Sequence, residues 1–227
     1  MKAMILAAGR GERLRPLTQT VPKALVEAGG KPLIGWHLER LAASGFRDVV
    51  VNVSHLADQI VEALGDGARY GLRIAWSREP EPLETAGGIA NAAPLLGSAP
   101  FLLVNGDIYC ELDLTSLSHA RIGESLAHLV LIPNPAHNPK GDFTLDEGLV
   151  GNAPAARYTY SGIALMSPAL VASVPAGSKA PLAPLLREAA GRGQITGELY
   201  TGTWQDVGTA ERLAGLRRHL ASIHENR

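Results

Sequence analysis

Met1-Lys2-Ala3-Met4-Ile5-Leu6-Ala7-Ala8-Gly9-Arg10-Gly11-Glu12-Arg13-Leu14-Arg15-Pro16-Leu17-Thr18, closed by Pro22-Lys23, is the stretch on which the reading of the fold turns. Its apolar run from Ala3 to Ala8 reads as a buried strand. A glycine loop follows at once. Glycines allow a sharp turn and bring backbone N–H groups close to a ligand, and successive N–H groups can cradle phosphate oxygens. Arg13, Arg15 and Lys23 add positive charge. A lone Gly-x-Gly reads equally well as a tight strand-to-helix turn beside solvated charges; the length of this run favours phosphate. Two common phosphate loops do not fit. The dinucleotide fingerprint needs a third glycine where this chain has Leu14. The Gly-x-x-x-x-Gly-Lys-Ser/Thr loop is absent.

The 227 residues suffice for one large α/β domain with a substantial core. Apolar residues make up 46% and charged residues 19%, an ordinary balance for a globular chain. With a net charge of −1 and no basic block, nucleic acid is not an expected partner. No apolar run approaches the ~20 residues that span a bilayer. No basic segment precedes a long apolar core at the start, so neither a membrane partner nor a secretory signal is expected. Cys110 is the single cysteine, so an intrachain disulfide is impossible, which fits a reducing cytoplasm. It reads as an incidental small residue, with no activating neighbour in sequence.

Along the chain, helices are predicted over Pro32–Ala43, Leu56–Leu64, Thr85 to Leu96 and Pro181–Arg192, with Thr85 as a cap. A last helix, capped by Thr209, carries Leu213, Leu216, Leu220 and Ile223. That stripe suits packing on the domain or a dimer contact, leaving monomer or homodimer open. The end, from about Glu225, reads as frayed. Strands are predicted over Asp48–Val53, Leu72–Trp76, Phe101–Val104, Leu126–Ile132 and Tyr158–Met166, the last interrupted at Ser161-Gly162. Gly141–Leu149 suits a hairpin, and Gln194–Trp204 one or two strands. Strand–helix alternation in the first half argues for a mostly parallel sheet with helices on both faces. Ligands of such sheets bind beyond the carboxyl ends of the strands, where the Gly9 loop and Asp107 both fall.

Asn105-Gly106-Asp107 and Trp204-Gln205-Asp206-Val207-Gly208-Thr209 each put an aspartate at the end of a predicted strand. Magnesium prefers carboxylate oxygen and bridges to substrate phosphates. Asp107 and Asp206 could together hold Mg2+ against a nucleoside triphosphate, although either alone also suits a turn or a helix cap. The seven histidines show no zinc-ligand spacing.

From Leu6 to Lys23 the chain resembles the signature of the sugar-1-phosphate nucleotidyltransferases, Leu-(Gly/Ala)-(Gly/Ala)-Gly-x-Gly-x-Arg-Leu-x-Pro-Leu-Thr-x-x-x-Pro-Lys. The Gly106-Asp107 pair and the segment Trp204 to Thr209 resemble the family's two aspartate motifs. The resemblance implies a Rossmann-like three-layer α/β/α nucleotidyltransferase fold with a mostly parallel central sheet. It implies a single nucleotidyltransferase domain over 1–227, with a nucleotide-binding half, 1–110, and a sugar-binding half with the C-terminal helix, 111–227. The implied reaction is attack of a sugar 1-phosphate on the α-phosphate of a nucleoside triphosphate, releasing pyrophosphate. Arg13, Lys23, Asp107 and Asp206 are then the catalytic set. Ala8, Gly9, Gly11, Glu12 and Arg13 would hold the triphosphate, and Arg13 would stabilise the leaving pyrophosphate. Lys23 would reach the α-phosphate region and the sugar phosphate. Thr85, Gly87 and Gly88 lie in the segment that reads the base; an ordinary loop and helix start is the plainer alternative.

Pro82–Gly88, Phe101–Asp107, Asn134–His137 with Gly141–Phe143, Tyr160–Ile163 and Trp204–Thr209 most resemble the short uridylyltransferases of bacterial cell-wall sugar recycling. That implies UTP as donor and an amino-sugar 1-phosphate as acceptor, contacted by Asn105, Gly141, Tyr160 and Ser161. The chain lacks the Glu-Lys-Pro segment whose lysine contacts the sugar phosphate in many members. Asp142, Lys140 and Arg157 are candidates for that half of the site, and His137 suits either the sugar or a solvated loop. The rival readings are transfer to another sugar phosphate or to phosphocholine, and a catalytically silent nucleotide-binding subunit.

Overall fold

The computed structural model describes residues 1–225. Its strands are β1 (Ala3–Leu6), β2 (Glu27–Ala28), β3 (Lys31–Pro32), β4 (Asp48–Val53), β5 (Arg73–Arg78), β6 (Phe101–Asn105), β7 (Ile108–Cys110), β8 (Ala127–Ile132), β9 (Thr144–Asp146), β10 (Leu149–Gly151), β11 (Thr159–Met166), β12 (Ile195–Leu199) and β13 (Trp204–Asp206). Its α-helices are α1 (Leu33–Ala43), α2 (Ala57–Leu64), α3 (Glu84–Leu96), α4 (Thr115–His119), α5 (Leu182–Gly191) and α6 (Ala210–Glu225).

The main sheet runs β5-β4-β1-β6-β11-β8-β12-β10-β9. The first four strands are mutually parallel. Strand β11 is antiparallel to β6 and β8, β12 is parallel to β8, and β10 is antiparallel to β12 and β9. Seven of the nine strands therefore point one way, and only β11 and β10 are reversed. The sheet is covered on both faces, which is why β1 and β4 are apolar without alternation. Side chains still divide with period two. Ala3 and Ile5 join Ile34, Leu38 and Ile60 of α1 and α2 in one core. Met4 and Leu103 join Ile89 and Leu186 of α3 and α5 in the other. This is the expected three-layer arrangement.

A two-stranded ribbon, β7 with β13, crosses outside the main sheet. Behind it lies a third core, in which Leu213, Leu216 and Leu220 of α6 meet Leu14, Val26, Tyr109 and Val207. The α6 stripe is thus covered within the chain. Helix α6 begins one residue after Thr209, whose hydroxyl accepts from the Arg212 N–H at 3.3 Å. The backbone of Glu225 is helical, and the rest of the end expected to fray lies outside the described residues.

Thr85 does not cap α3. The helix starts at Glu84, and the Ala180 carbonyl accepts from the N–H groups of Ala86 (2.9 Å) and Gly87 (3.1 Å). A distant backbone oxygen has taken the place of a capping side chain. The expected hairpin forms from β9 and β10, and β11 breaks register between Tyr160 and Ala164. The ribbon strands and α4 are too short to leave a periodic signal. Cys110 is buried, and burial pushes its thiol pKa up, away from nucleophilic use. Among the described residues, no helix is long and apolar enough to cross a membrane.

Candidate active site

The glycine loop leaves the carboxyl end of β1 and turns at Gly11, whose φ of 64° favours glycine. A 3-10 turn follows over Glu12–Leu14, tied by Leu14 N–H to the Gly11 carbonyl at 2.8 Å. The Thr18 hydroxyl donates to the same carbonyl at 2.8 Å. The first amides of a helical turn have no internal acceptor and suit an anion. The loop lines a cleft of about 560 Å³ beyond the carboxyl ends of β1 and β6. Ala8, Gly9, Gly11, Glu12 and Arg13 form one wall, and Lys23, Asn105 and Asp107 another.

Asp107 sits in the turn between β6 and β7. Gly106 is required there: its N–H donates to the Leu6 carbonyl at 3.0 Å, and a Cβ would collide with that oxygen. This contact pins Asp107 beside the loop. Lys23 Nζ donates to Asp107 Oδ2 at 2.6 Å, with the lysine side chain only 12% exposed. The ribbon then brings Asp206 alongside. Asp206 pairs in register with Ile108, and Val207 N–H donates to the Asp107 carbonyl at 2.8 Å.

Asp206 Oδ2 accepts from Arg212 Nη1 at 2.6 Å and lies 3.4 Å from His137 Nε2. The His137 ring stacks on Trp204, with centroids 6.4 Å apart. Asp206 Oδ1 is buried with no hydrogen-bond partner. Gly208 marks where the charges converge: a Cβ there would lie 2.8 Å from Asp206 Oδ1, 2.8 Å from Arg212 Nη2 and 3.0 Å from Arg13 Nη2. Two carboxylates thus sit among Lys23, Arg13 and Arg212, in a field suited to polyphosphate.

A buried polar chain supports the same cleft. Asn52 Oδ1 accepts from the Ala7 N–H at 2.8 Å, and Asn52 Nδ2 donates to Glu79 Oε1 at 2.7 Å. Glu79 Oε2 accepts from the Leu83 N–H at 2.9 Å. Asn52 and Glu79 both line the cleft, so one amide–carboxylate pair joins the glycine loop to the 79–88 segment. Gly88 packs on that pair: a Cβ would approach Asn52 Nδ2 and Glu79 Oε1 at 2.8 Å each. Gly87 instead abuts the 178–180 backbone. Glu84 has a φ of 61°, a costly conformation for a residue with a Cβ.

A second cavity of about 480 Å³ shares Glu84, Thr85 and Asn105 with the first. Asp142, Tyr160 and Arg187 line it together with apolar Phe143, Leu182 and Leu186. The Asp142 carboxylate accepts from Tyr160 N–H at 2.9 Å and from Asn138 Nδ2 at 3.2 Å. Tyr160 carries a buried hydroxyl with no partner, and burial pushes its pKa up.

Most residues named from the sequence converge on these two cavities. Five of the candidates stand outside the lining: Gly87 and Gly88 pack as described, Gly141 lies against Asn134 and Arg157, Ser161 uses its hydroxyl on the Ile163 N–H at 3.1 Å, and Asp206 lies beside Asp107 on the ribbon, bound to Arg212. Arg157 donates to the carbonyls of Asn152 (3.0 Å) and Ala153 (3.4 Å), clamping its own loop. Neither it nor Lys140 reaches a cavity. Asn52, Glu79, Arg187 and Arg212 escaped the sequence reading. Arg212 had a signal, lying three residues beyond the Thr209 cap; the others lie in ordinary strand, loop and helix.

Residues 2–143 match the model of the family described as nucleotidyl transferase. The chain is 50% identical over 224 residues to N-acetylmuramate alpha-1-phosphate uridylyltransferase of Neisseria meningitidis, covering 94% of this chain and 95% of that one. It is 32% identical to mannose-1-phosphate guanyltransferase of Aspergillus oryzae, covering 98% of this chain and 65% of that one. A crystal structure of a putative glucose-1-phosphate thymidylyltransferase from Bacillus anthracis has the same fold, with a TM-score of 0.86 at 19% identity over 97% of this chain and 95% of that one. With the signature loop on β1, the aspartate after β6 and this agreement over most of its length, the chain belongs to the nucleotidyl transferase family.

Proposed function

We propose that the chain transfers a uridylyl group from UTP to N-acetylmuramic acid α-1-phosphate, giving UDP-N-acetylmuramic acid and pyrophosphate. The observation that carries this reading is that the glycine loop and the Lys23–Asp107 pair line one cleft, with Asp206 held next to Asp107 by the β7–β13 ribbon just outside its lining. The 50% identical Neisseria meningitidis uridylyltransferase supports the choice of donor and acceptor.

An oxygen of the acceptor phosphate attacks the α-phosphorus of UTP. The bond from that phosphorus to the α,β-bridging oxygen breaks, and pyrophosphate leaves with its electron pair. The acceptor phosphate is already ionised near neutral pH, so no general base is required. The work is positioning of two anions and neutralisation of their charge. Amides of Gly11, Glu12 and Arg13 hold the triphosphate, and the Arg13 guanidinium stabilises the departing pyrophosphate. Lys23 lies between the α-phosphate region and the acceptor phosphate. Thr85 and the Asn52–Glu79 pair bound the part of the cleft left for uracil and ribose.

Asp107 and Asp206 fit a magnesium ion. Both are hard oxygen donors, and the partnerless buried Oδ1 of Asp206 is an acceptor that a cation would satisfy. Two protein carboxylates are few for a metal, which suits an ion completed by substrate phosphates and water. Bound there, magnesium would supply Lewis-acid polarisation of the phosphoryl oxygens. In this reading residues 1–227 act as one nucleotidyltransferase domain, as monomer or homodimer, in the cytoplasm, with no need of nucleic acid or membrane.

Pyrophosphate release tests the reading. UTP, CTP, GTP, dTTP and ATP are each paired with the 1-phosphates of N-acetylmuramic acid, N-acetylglucosamine, glucose and mannose, and with phosphocholine. Release confined to UTP with the muramic acceptor is expected. Release with another pair reassigns the substrate, and a protein that binds nucleotide but releases nothing is a silent subunit.

A further inference from the structure

We infer that Arg187 of α5 is a specificity-determining residue that pairs with a carboxylate carried on the sugar ring of the acceptor. This assignment rests on the acceptor reading above. N-acetylmuramic acid differs from N-acetylglucosamine by a lactyl ether, that is, one carboxylate and one methyl group.

The two cavities divide the acceptor between them. Lys23 and Asp107 line only the first, where the acceptor phosphate must meet the nucleotide. Arg187 and Tyr160 line only the second. A sugar 1-phosphate with its phosphate beside Lys23 therefore passes its ring between Thr85 and Asn105, which line both. Its ring substituents then enter the second cavity.

That cavity has the chemistry of a lactyl group. Leu182 and Leu186 of α5 give the methyl an apolar wall. The Arg187 guanidinium has no hydrogen-bond or ion-pair partner among the described residues; only its backbone carbonyl is engaged, by Asn152. Arg157 and Arg212 are instead occupied by protein acceptors. Of the carboxylates lining the cavity, Asp142 is held by Tyr160 N–H and Asn138. A second group also lacks a partner, the buried hydroxyl of Tyr160. A planar guanidinium suits a carboxylate, which it can meet with two parallel hydrogen bonds.

The test compares kcat/KM, with UTP saturating, for the 1-phosphates of N-acetylmuramic acid and N-acetylglucosamine. Arg187→Ala is expected to lower the value for the muramic acceptor on the order of 10- to 100-fold, mainly through KM. The value for the N-acetylglucosamine acceptor should change less than about twofold, as should KM for UTP. Arg187→Lys should recover part of the loss. Calorimetric affinities for the two acceptors give the same comparison where one turns over too slowly to measure. An equal loss on both acceptors overturns the assignment, since Arg187 then reads the phosphate they share or serves the fold. No loss on either overturns it too. A wild-type protein that ignores the muramic acceptor but uses another sugar phosphate overturns the functional reading itself, and this assignment with it.

Discussion

The donor-side cleft and the second cavity meet at Glu84, Thr85 and Asn105, yet they are made of different material. The cleft lies where parallel strands β1, β4 and β6 end. It is shaped by backbone, by close contacts at Gly88 and Gly106, and by the buried Asn52–Glu79 pair. Little in it can change without displacing something else. The second cavity lies beside the reversed strand β11 and takes its lining from α5 and from side chains around the β9–β10 hairpin. Leu182 and Leu186 belong to the core beneath the cavity, whereas Arg187 is exposed on the same helix, so Arg187 can be replaced while the frame stays. Under the proposed function, the parallel part of the sheet would fix the polyphosphate site, and the mixed part would carry selection of the acceptor, adjustable at Arg187. Loops at the carboxyl ends of parallel strands are the usual home of such fixed sites.

The hardest blow to the fixed side is Asp107→Asn. It should lower turnover by on the order of a thousandfold or more, because it removes the negative charge from the proposed magnesium ligand and from the partner of Lys23. Melting temperature should hold to within a few degrees. Near-normal turnover would remove Asp107 from the metal site. Lys23→Ala comes next, with a loss on the order of a hundredfold in kcat. If steady-state kinetics show only a raised KM, Lys23 binds substrate without favouring the transition state.

A subtler break is Asn52→Leu, which keeps the volume but leaves the Ala7 N–H and one Glu79 oxygen unpartnered. KM for UTP should rise about tenfold and stability should fall by about 1–3 kcal/mol. An acceptor KM that rises as much as that for UTP would blur the division between the two sides.

The last prediction concerns the floor beneath Asp107. His37 on α1 is buried, and burial, aided by the nearby Arg40 charge, holds its pKa down to about 4 against 6.5 for a free imidazole. Both states are neutral at pH 7. Below 6.5 the unfolded chain takes up a proton that the folded chain refuses until about 4. Stability should therefore fall as pH drops from 6.5 to 4, by about 3 kcal/mol from this residue. Urea titrations at pH 7 and pH 4.5 check it: His37→Gln should flatten the difference, and an unchanged pH dependence would show that other groups dominate.

The same contrast governs how much could be read from the sequence. Ala3–Leu6, Asp48–Val53 and Phe101–Asn105 are buried on both faces, so continuous apolar runs announced them. The glycine loop, Lys23, Asp107 and Asp206 were legible because each stood in a run resembling the family's motifs; taken singly, each residue also suits a turn, a cap or a solvated charge. Arg187 had no such mark, being one arginine on an amphipathic helix. Asn52 lies inside an apolar strand and Glu79 in a proline-rich loop, and only the fold brings them within 2.7 Å. Thr85 misled because its capping role was filled by Ala180, a carbonyl distant in sequence.

Phosphorus NMR of the protein with UTP, N-acetylmuramic acid α-1-phosphate and magnesium tests the central claim most directly. The account predicts that the resonances of UTP and the acceptor decline together while a sugar-nucleotide diphosphate and pyrophosphate appear in equal amounts, and that Asp107→Asn leaves the spectrum unchanged. Orthophosphate as the main product, or consumption of UTP with the acceptor intact, would contradict it.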